Sequence, residues 1–365
     1  MSQLLSHHAQ PYSLGDYGWD EACEHAFAPH RAAGLIPARV VRAERGSCEA
    51  VTDAGTVRAE IPGAADHGDP LSVPCTGDWV ALRPVATGAV PVLHAVLERR
   101  TALVRSSASR TSCGQVLAAN VDTVVVTVSL AAPLKHGRTE RMLALAWESG
   151  AQPVVVLTKA DACADVPSAQ AQVSEVAPGV DVLVTSAVTG QGLDTLTAVL
   201  SGTVVLLGPS GAGKSTLGNQ LLGEDRLATG AVREADGKGR HTTAWRELVP
   251  LPGGGVLLDT PGLRAIGLHD AQDGLEQTFA EIEHLAQDCR FTDCAHVSEP
   301  GCAVLSAVEA GVIPRRRLDS YRRLLRENAY AASRTDARLR ADREAVRKDI
   351  TRHLRATYRF RERQP

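Results

Sequence analysis

From Gly34 to Ser107 the chain alternates apolar and polar residues in short runs. These are ARVVRAE, CEAVTDAG, TVRAEIPG, GDWVALRPV and HAVLERRTALV, separated by Gly, Pro and Asp. A period of two marks strands with one buried face, and several such runs between turn residues predict a small antiparallel barrel of the OB type. The pattern then changes. VDTVVVTVSL (121–130), PVVVLT (153–158), DVLVTSA (181–187) and TVVLLG (203–208) are nearly unbroken apolar runs. RTERMLALAWESG, between the first two, carries its apolar residues at helical spacing. Strands apolar on both faces, alternating with helices, predict a mostly parallel sheet covered on both sides. WRELVPL and GVLLDT flank Pro252-Gly-Gly-Gly255 and predict a hairpin added to that sheet. Residues 1–33 show no sustained period and predict an extension, loose or partly helical. Beyond about Leu268 the chain turns helical and rich in arginine.

These changes of rhythm divide the 365 residues into four parts. An N-terminal extension (1–33) precedes an OB-fold-like β-barrel (34–110), an α/β domain (111–270) and a helical domain with a basic tail (271–365). Hydrophobic residues at 44% and charged residues at 22% describe a globular protein with enough apolar material for real cores. The segment MSQLLSHHAQPYSLGDYGWD lacks the basic-then-apolar pattern of a secretory signal, and no stretch approaches the roughly 20 apolar residues of a membrane span. A membrane protein is therefore not expected. The eight cysteines are irregularly placed except for one cluster, which points to reducing cytoplasm rather than a disulfide framework.

The net charge of −3 hides an asymmetry. Pro314 to Pro365 holds 17 Arg/Lys against 7 Asp/Glu, and the remainder holds 22 against 35. A basic tail on an acidic body is the footprint of a polyanion partner. The interleaved acids of RTDARLRADREAVRKD equally suit a solvated helical face.

The candidate chemistry starts at Gly208-Pro209-Ser210-Gly211-Ala212-Gly213-Lys214-Ser215-Thr216, which matches the phosphate-loop pattern G-x-x-x-x-G-K-[ST] between a strand and a helix. Its glycines let backbone N–H groups close around phosphates at a helix N-terminus. Lys214 reaches the β- and γ-phosphates and the Ser215 hydroxyl ligates Mg²⁺ in such a loop. Asp259, leaving the strand GVLLDT, is placed to hold Mg²⁺ through water, and the Gly262 N–H to approach the γ-phosphate. GKGRHTTAW (237–245) reads as a switch segment, in which Thr242 or Thr243 completes the Mg²⁺ shell. Thr158-Lys159-Ala160-Asp161 suits guanine, because the Asp161 carboxylate accepts from both N1–H and the exocyclic amine while the Lys159 stem lies along the base. Ser186 and Ala187 are placed to offer a backbone N–H to the guanine oxygen.

The phosphate loop, HTT segment, DTPG, TKAD and TSA resemble the five nucleotide motifs of a GTPase in rotated order, with TKAD and TSA preceding the phosphate loop. This is similar to the circularly permuted GTPases. With a barrel before and a Cys/His cluster after, it resembles the RsgA family over roughly residues 35–310, including GDWV (77–80) and VLAANVDTVVV (116–126). The resemblance implies a GTPase acting on the small ribosomal subunit and its rRNA during assembly, working in the cytoplasm as a monomer. Where many small GTPases carry a water-orienting glutamine after D-x-x-G, this chain has Leu263. Slow intrinsic hydrolysis that depends on a partner is implied. His241 is the nearest candidate for positioning the attacking water, and a solvated switch histidine is the plain alternative.

CRFTDCAHVSEPGC offers Cys289, Cys294, His296 and Cys302. Three thiolates and one imidazole suit one structural, tetrahedral Zn²⁺. Two other functions stay open at this level. One is a nucleotide-gated RNA-binding protein with little hydrolysis, which Leu263 favours. The other is a P-loop kinase, which TKAD and TSA disfavour.

Overall fold

The computed structural model describes residues 12–63, 73–85, 89–106, 114–227, 246–259 and 271–335. The extension contains helix α1 (Glu21–Ala32), whose N-terminus is capped by the Asp20 carboxylate accepting from the Cys23 N–H at 2.8 Å. Leu14, Tyr17, Cys23 and Phe27 are buried in the main core, so the described part of this segment is packed rather than loose. A helix with only Cys23 and Phe27 turned inward is too narrow a stripe to register as a period.

Five strands close the barrel in the order β1-β2-β3-β5-β4: β1 (Ile36–Glu44), β2 (Ser47–Thr52), β3 (Gly55–Glu60), β4 (Trp79–Arg83) and β5 (Val92–Val96). The first three form an antiparallel meander, β4 returns to pair with β1, and β3 meets β5 in parallel. This is the OB-type Greek-key order. The run HAVLERRTALV, continuous in its alternation, is divided. Its first part is β5, and its last part is β6 (Ala102–Ser106), which pairs with β7 (Gly114–Ala119) outside the barrel.

Arg39 stands where the extension, the barrel and the α/β sheet meet. It is 1% exposed and donates to the carbonyls of Tyr17, Gly77 and Asn120 and to the Thr203 hydroxyl. Its guanidinium lies 4.4 Å from the Trp79 ring centroid. Burial lowers its pKa from 12.5 to about 10, which still leaves the charge in place at neutral pH. The motif GDWV is built into this joint. A Cβ on Gly77 would lie 2.1 Å from the Ala119 carbonyl oxygen, so only glycine admits β7 there. Asp78 is fully buried and takes both Nε and Nη2 of Arg99, at 2.7 and 2.8 Å.

The second sheet has six strands in the order β10-β9-β8-β11-β13-β12. They are β8 (Thr123–Ser129), β9 (Gln152–Thr158), β10 (Val182–Val184), β11 (Thr203–Leu207), β12 (Glu247–Pro250) and β13 (Val256–Asp259). All neighbours are parallel except the β12–β13 hairpin. Side chains alternate between two cores. Val124, Val126, Val155, Leu157, Val205 and Leu207 face α2 (His136–Glu148) and the C-terminal helices. Val125, Val154, Val156, Val204 and Leu206 face α4 (Leu193–Val199) and α5 (Lys214–Leu222). Both faces are thus covered, which is why the strands read as unbroken apolar runs. Between them in the chain lies α3 (Val166–Ser174).

Of the C-terminal helices α6 (Gln272–Thr278), α7 (Ala280–Ala286), α8 (Ala303–Glu309) and α9 (Arg315–Thr335), α6 and α9 pack on α2, while α7 and α8 pack on each other. Arg317, 3% exposed at its side chain, pins them. It donates to Glu140 of α2 at 2.9 Å, to Glu281 at 2.6 Å and to the Thr278 carbonyl at 2.6 Å. No helix among the described residues is long and apolar enough to cross a membrane.

Candidate functional site

Successive connections from β8 run outward through β9 to β10, whereas β11 begins the other half of the sheet beside β8. Crevices at the C-terminal ends of parallel strands open where the winding reverses. The phosphate loop, residues 208–213, leaves β11 at this reversal and leads into α5. Gly211 and Gly213 adopt φ of 79° and 85°. A Cβ on Gly208 would lie 2.0 Å from the Thr127 hydroxyl on β8, so the first glycine is required by the neighbouring strand.

The TKAD segment clamps this loop from the end of β9. The Thr158 hydroxyl donates to the Ala212 carbonyl at 2.7 Å, and Lys159 Nζ donates to the Gly211 carbonyl at 2.8 Å. Lys159 has a left-handed φ of 60°, which turns the chain into the short 3-10 turn that carries Asp161. Asp161 Oδ1 accepts from the Ser186 hydroxyl at 2.5 Å, joining TKAD to the loop after β10. The Ser186 N–H donates to the Gln191 carbonyl at 3.0 Å, and its hydroxyl accepts from the Thr189 N–H at 3.2 Å. Lys214 Nζ folds back on the loop and donates to the carbonyls of Gly208 and Pro209 at 2.8 Å each. Ser215 and Thr216 open α5 directly after it.

Asp259 ends β13, which runs parallel to β11 with Leu258 opposite Val205, so its backbone stands one strand from the phosphate loop. His241, Thr242, Thr243, Gly262 and Leu263 lie outside the described residues. A cleft of about 330 Å³ borders the phosphate loop, between Pro209–Ala212 and Lys159 on one side and the β8–α2 connection on the other.

The Cys/His cluster sits between α7 and α8, and its four ligand atoms lie within 4.8 Å of one another. Cys289 and Cys302 Sγ are 3.8 Å apart, and His296 Nδ1 lies 3.7 and 3.4 Å from them. A tetrahedral zinc ion with ordinary bond lengths needs S···S edges of about 3.8 Å and S···N edges of about 3.5 Å. The donor set suits zinc, and the three edges among Cys289, His296 and Cys302 match these lengths. Burial lowers the His296 pKa, which favours the neutral imidazole, and raises the Cys302 thiol to about 11. At Cys289 burial acts upward, but N–H donors of Val304 and Ala303 outweigh it and the thiol is lowered. Such donors favour a thiolate, the form that binds metal.

Several supporting residues carry no motif. Arg39 reads in the sequence as the polar member of an alternating strand, and Glu140 as the polar face of a helix. Their burial is a property of the tertiary joints.

A family model described as RsgA GTPase matches residues 96–269. A Streptomyces coelicolor protein named small ribosomal subunit biogenesis GTPase RsgA is 57% identical over 351 residues, covering 95% of this chain and 94% of that one. Its namesake from Streptomyces avermitilis is 57% identical over 342 residues, covering 93% and 91%. The crystal structure of YjeQ from Thermotoga maritima superposes with a TM-score of 0.60 at 25% identity, over 80% of this chain and 98% of that one. YloQ, described as a circularly permuted GTPase, superposes with a TM-score of 0.58. A phosphate loop entered from mid-chain, clamped by an earlier TKAD segment and shared at this identity over nearly the whole length, places the chain in the RsgA family of GTPases.

Proposed function

We propose that the chain is a GTP hydrolase that docks on the small ribosomal subunit and couples conversion of GTP to GDP and phosphate to late maturation of that subunit. The observation that carries this reading is the Thr158–Ala212 and Lys159–Gly211 clamp in permuted order, in a chain 57% identical to a protein named for that role. Asp161 reads the guanine edge. Because the Ser186 N–H is committed to Gln191, the Ala187 N–H is the donor for the guanine oxygen. When GTP binds, Lys214 exchanges its carbonyl partners at Gly208 and Pro209 for phosphate oxygens. Ser215 and Asp259 hold Mg²⁺, with Thr242 or Thr243 joining in the GTP state, and Gly262 senses the γ-phosphate. Bound Mg²⁺ supplies charge neutralisation at the β- and γ-oxygens. His241 positions water in place of the absent glutamine. The zinc site holds the loop between α7 and α8 as a structural module, and the barrel and this module contact rRNA. The protein acts as a monomer in the cytoplasm.

Steady-state phosphate release with purified small subunits, large subunits and bare RNA, at two salt concentrations, tests the reading. Strong stimulation by small subunits alone, falling with salt, is expected. Ser215→Ala abolishes it, and His241→Ala lowers it. Equal rates under all conditions would favour instead a nucleotide-gated RNA binder with little hydrolysis, the function that Leu263 supports.

A further inference from the structure

The cleft beside the phosphate loop has a second wall that none of the nucleotide roles uses. Lys135, at the end of the β8–α2 connection, and Arg138, in the first turn of α2, line it together with Ser210 and Gly211. Pro209–Ala212 and Lys159 line it as well, whereas Lys214, Ser215, Asp161 and Ser186 do not, so it shares one edge of the phosphate loop with the nucleotide site and extends away from it. Lys135 and Arg138 are exposed, and among the described residues neither side chain makes an ion pair or hydrogen bond. A third exposed cation abuts the same turn. Arg323 of α9 donates to the Gly137 carbonyl at 3.4 Å and to the Ser320 hydroxyl at 3.2 Å, with no carboxylate partner. The nearby acids are engaged elsewhere, Glu140 with Arg316 and Arg317, Glu175 with Arg316, and Glu327 with Arg141.

Three cations thus run from the edge of the phosphate loop to α9, and among the described residues none of them is ion-paired with a carboxylate; Asp319, one turn from Arg323, pairs with Arg315. Like charges so placed repel, and a polyanion laid across them removes that cost. The lining holds no aromatic ring to stack a base and no Asn or Gln to read one. Such a surface suits backbone phosphates and carries no sequence information. In the sequence α9 is followed by residues 336–365, with 10 Arg/Lys against 5 Asp/Glu.

We infer that Lys135, Arg138 and Arg323 form a seam that receives the phosphodiester backbone of an RNA strand directly against the phosphate loop. The inference rests on the reading of the chain as an RNA-docking GTPase and names where the RNA meets the nucleotide site. A phosphate held there bridges the β8–α2 connection to Ser210 and Gly211 and limits motion of the loop. Lys135 and Arg138 are therefore positioning residues for partner-stimulated hydrolysis, which is catalysis by orientation.

The test compares full-length wild type with Lys135→Ala/Arg138→Ala and Lys135→Glu/Arg138→Glu. Affinity for a fluorescent GDP analogue, intrinsic phosphate release, stimulated release with small subunits, and binding of a short single-stranded RNA are measured across a salt series. Nucleotide affinity and intrinsic release are expected to match wild type, which also reports correct folding. Half-maximal stimulation should require about tenfold more subunit for each cation removed at 0.1 M salt, with the salt slope shallower by about 0.7–0.9 per cation. The charge reversal should exceed the alanine pair. Unchanged salt slopes in both variants overturn the seam, and so does a loss of GDP affinity that parallels the loss of stimulation. A wild type that binds RNA through these cations but is unmoved by subunits defeats the functional reading and upholds the seam. A wild type that binds neither defeats both.

Discussion

At Asp161 a strand end, a left-handed Lys159 and a hydroxyl from Ser186 fix one carboxylate in place before any nucleotide arrives. Adenine offers no paired donors on the corresponding edge, so in the proposed base pocket guanine selectivity rests on two hydrogen bonds to the Asp161 carboxylate. Each such bond contributes about 1.5–3 kcal/mol. Asp161→Asn replaces one acceptor oxygen with a donor. GTP affinity is expected to fall by roughly 100-fold or more, with xanthosine triphosphate overtaking it, because its 2-oxo group accepts from the new amide. Competition titrations with GTP, XTP and ATP check this. Retained GTP affinity would remove Asp161 from the base pocket.

Among the elements, α1 and the α7–α8 loop each depend on one kind of anchor. Asp20 caps α1 through the Cys23 N–H and pairs with Arg100 at 2.6 Å. Burial acts upward on its pKa, but the Cys23 N–H and Arg100 outweigh it and bring the value from 3.8 to about 2. A depressed carboxylate stabilises the fold above its unfolded pKa and loses that contribution as pH falls toward its folded one. Asp20→Ala should therefore cost about 1 kcal/mol near neutral pH, almost all of it from the cap. The Arg100 pair adds little, since both side chains are nearly half exposed. In urea titrations the gap between wild type and variant should narrow between about pH 4 and pH 2. A gap constant with pH would mean that the charge is immaterial. For the α7–α8 loop the anchor we propose is zinc, held by Cys289, Cys294, His296 and Cys302. Freshly purified protein should carry about one zinc per chain, and Cys294→Ala should release it. Hydrogen exchange should then rise around residues 285–305 while GDP binding persists. Metal analysis without zinc would defeat the assignment.

Across the whole molecule, buried arginines join parts that are remote in sequence. Arg317 and Glu140 are 177 residues apart, and the Glu140 side chain is fully buried. Breaking a buried pair costs about 3–5 kcal/mol when the remaining charge has no other partner. Here Glu140 would keep only the longer contact with Arg316, at 3.6 Å, so the cost approaches the lower end of that range. Arg317→Ala should accordingly lower thermal stability sharply and increase hydrogen exchange in α6 to α9 before the sheet opens. Glu140→Gln should be milder, because the amide oxygen still accepts. Equal exchange in Arg317→Ala and wild type would show that apolar packing alone holds the C-terminal helices.

The phosphate loop, TKAD, TSA, the Cys/His cluster and the apolar strands were legible because each is local. Their chemistry follows from residue type and short spacing, and rotation of chain order leaves such signals intact. The barrel was legible as alternation, but which strands close it was not, since pairing of β1 with β4 joins residues far apart in the chain. Nor does alternation mark where the barrel stops, because β5 and β6 have the same period while only β5 finds a partner within it. The packing of α1 was hidden by the narrowness of its buried stripe. Arg39 and Arg317 were hidden by charge itself, since an arginine in a polar position reads as solvent-facing. Only the tertiary structure brings Tyr17, Gly77, Asn120 and Thr203 around one guanidinium and two glutamates around the other. A charge enters a core where enough acceptors converge on it, and convergence from distant segments is a property of the folded chain.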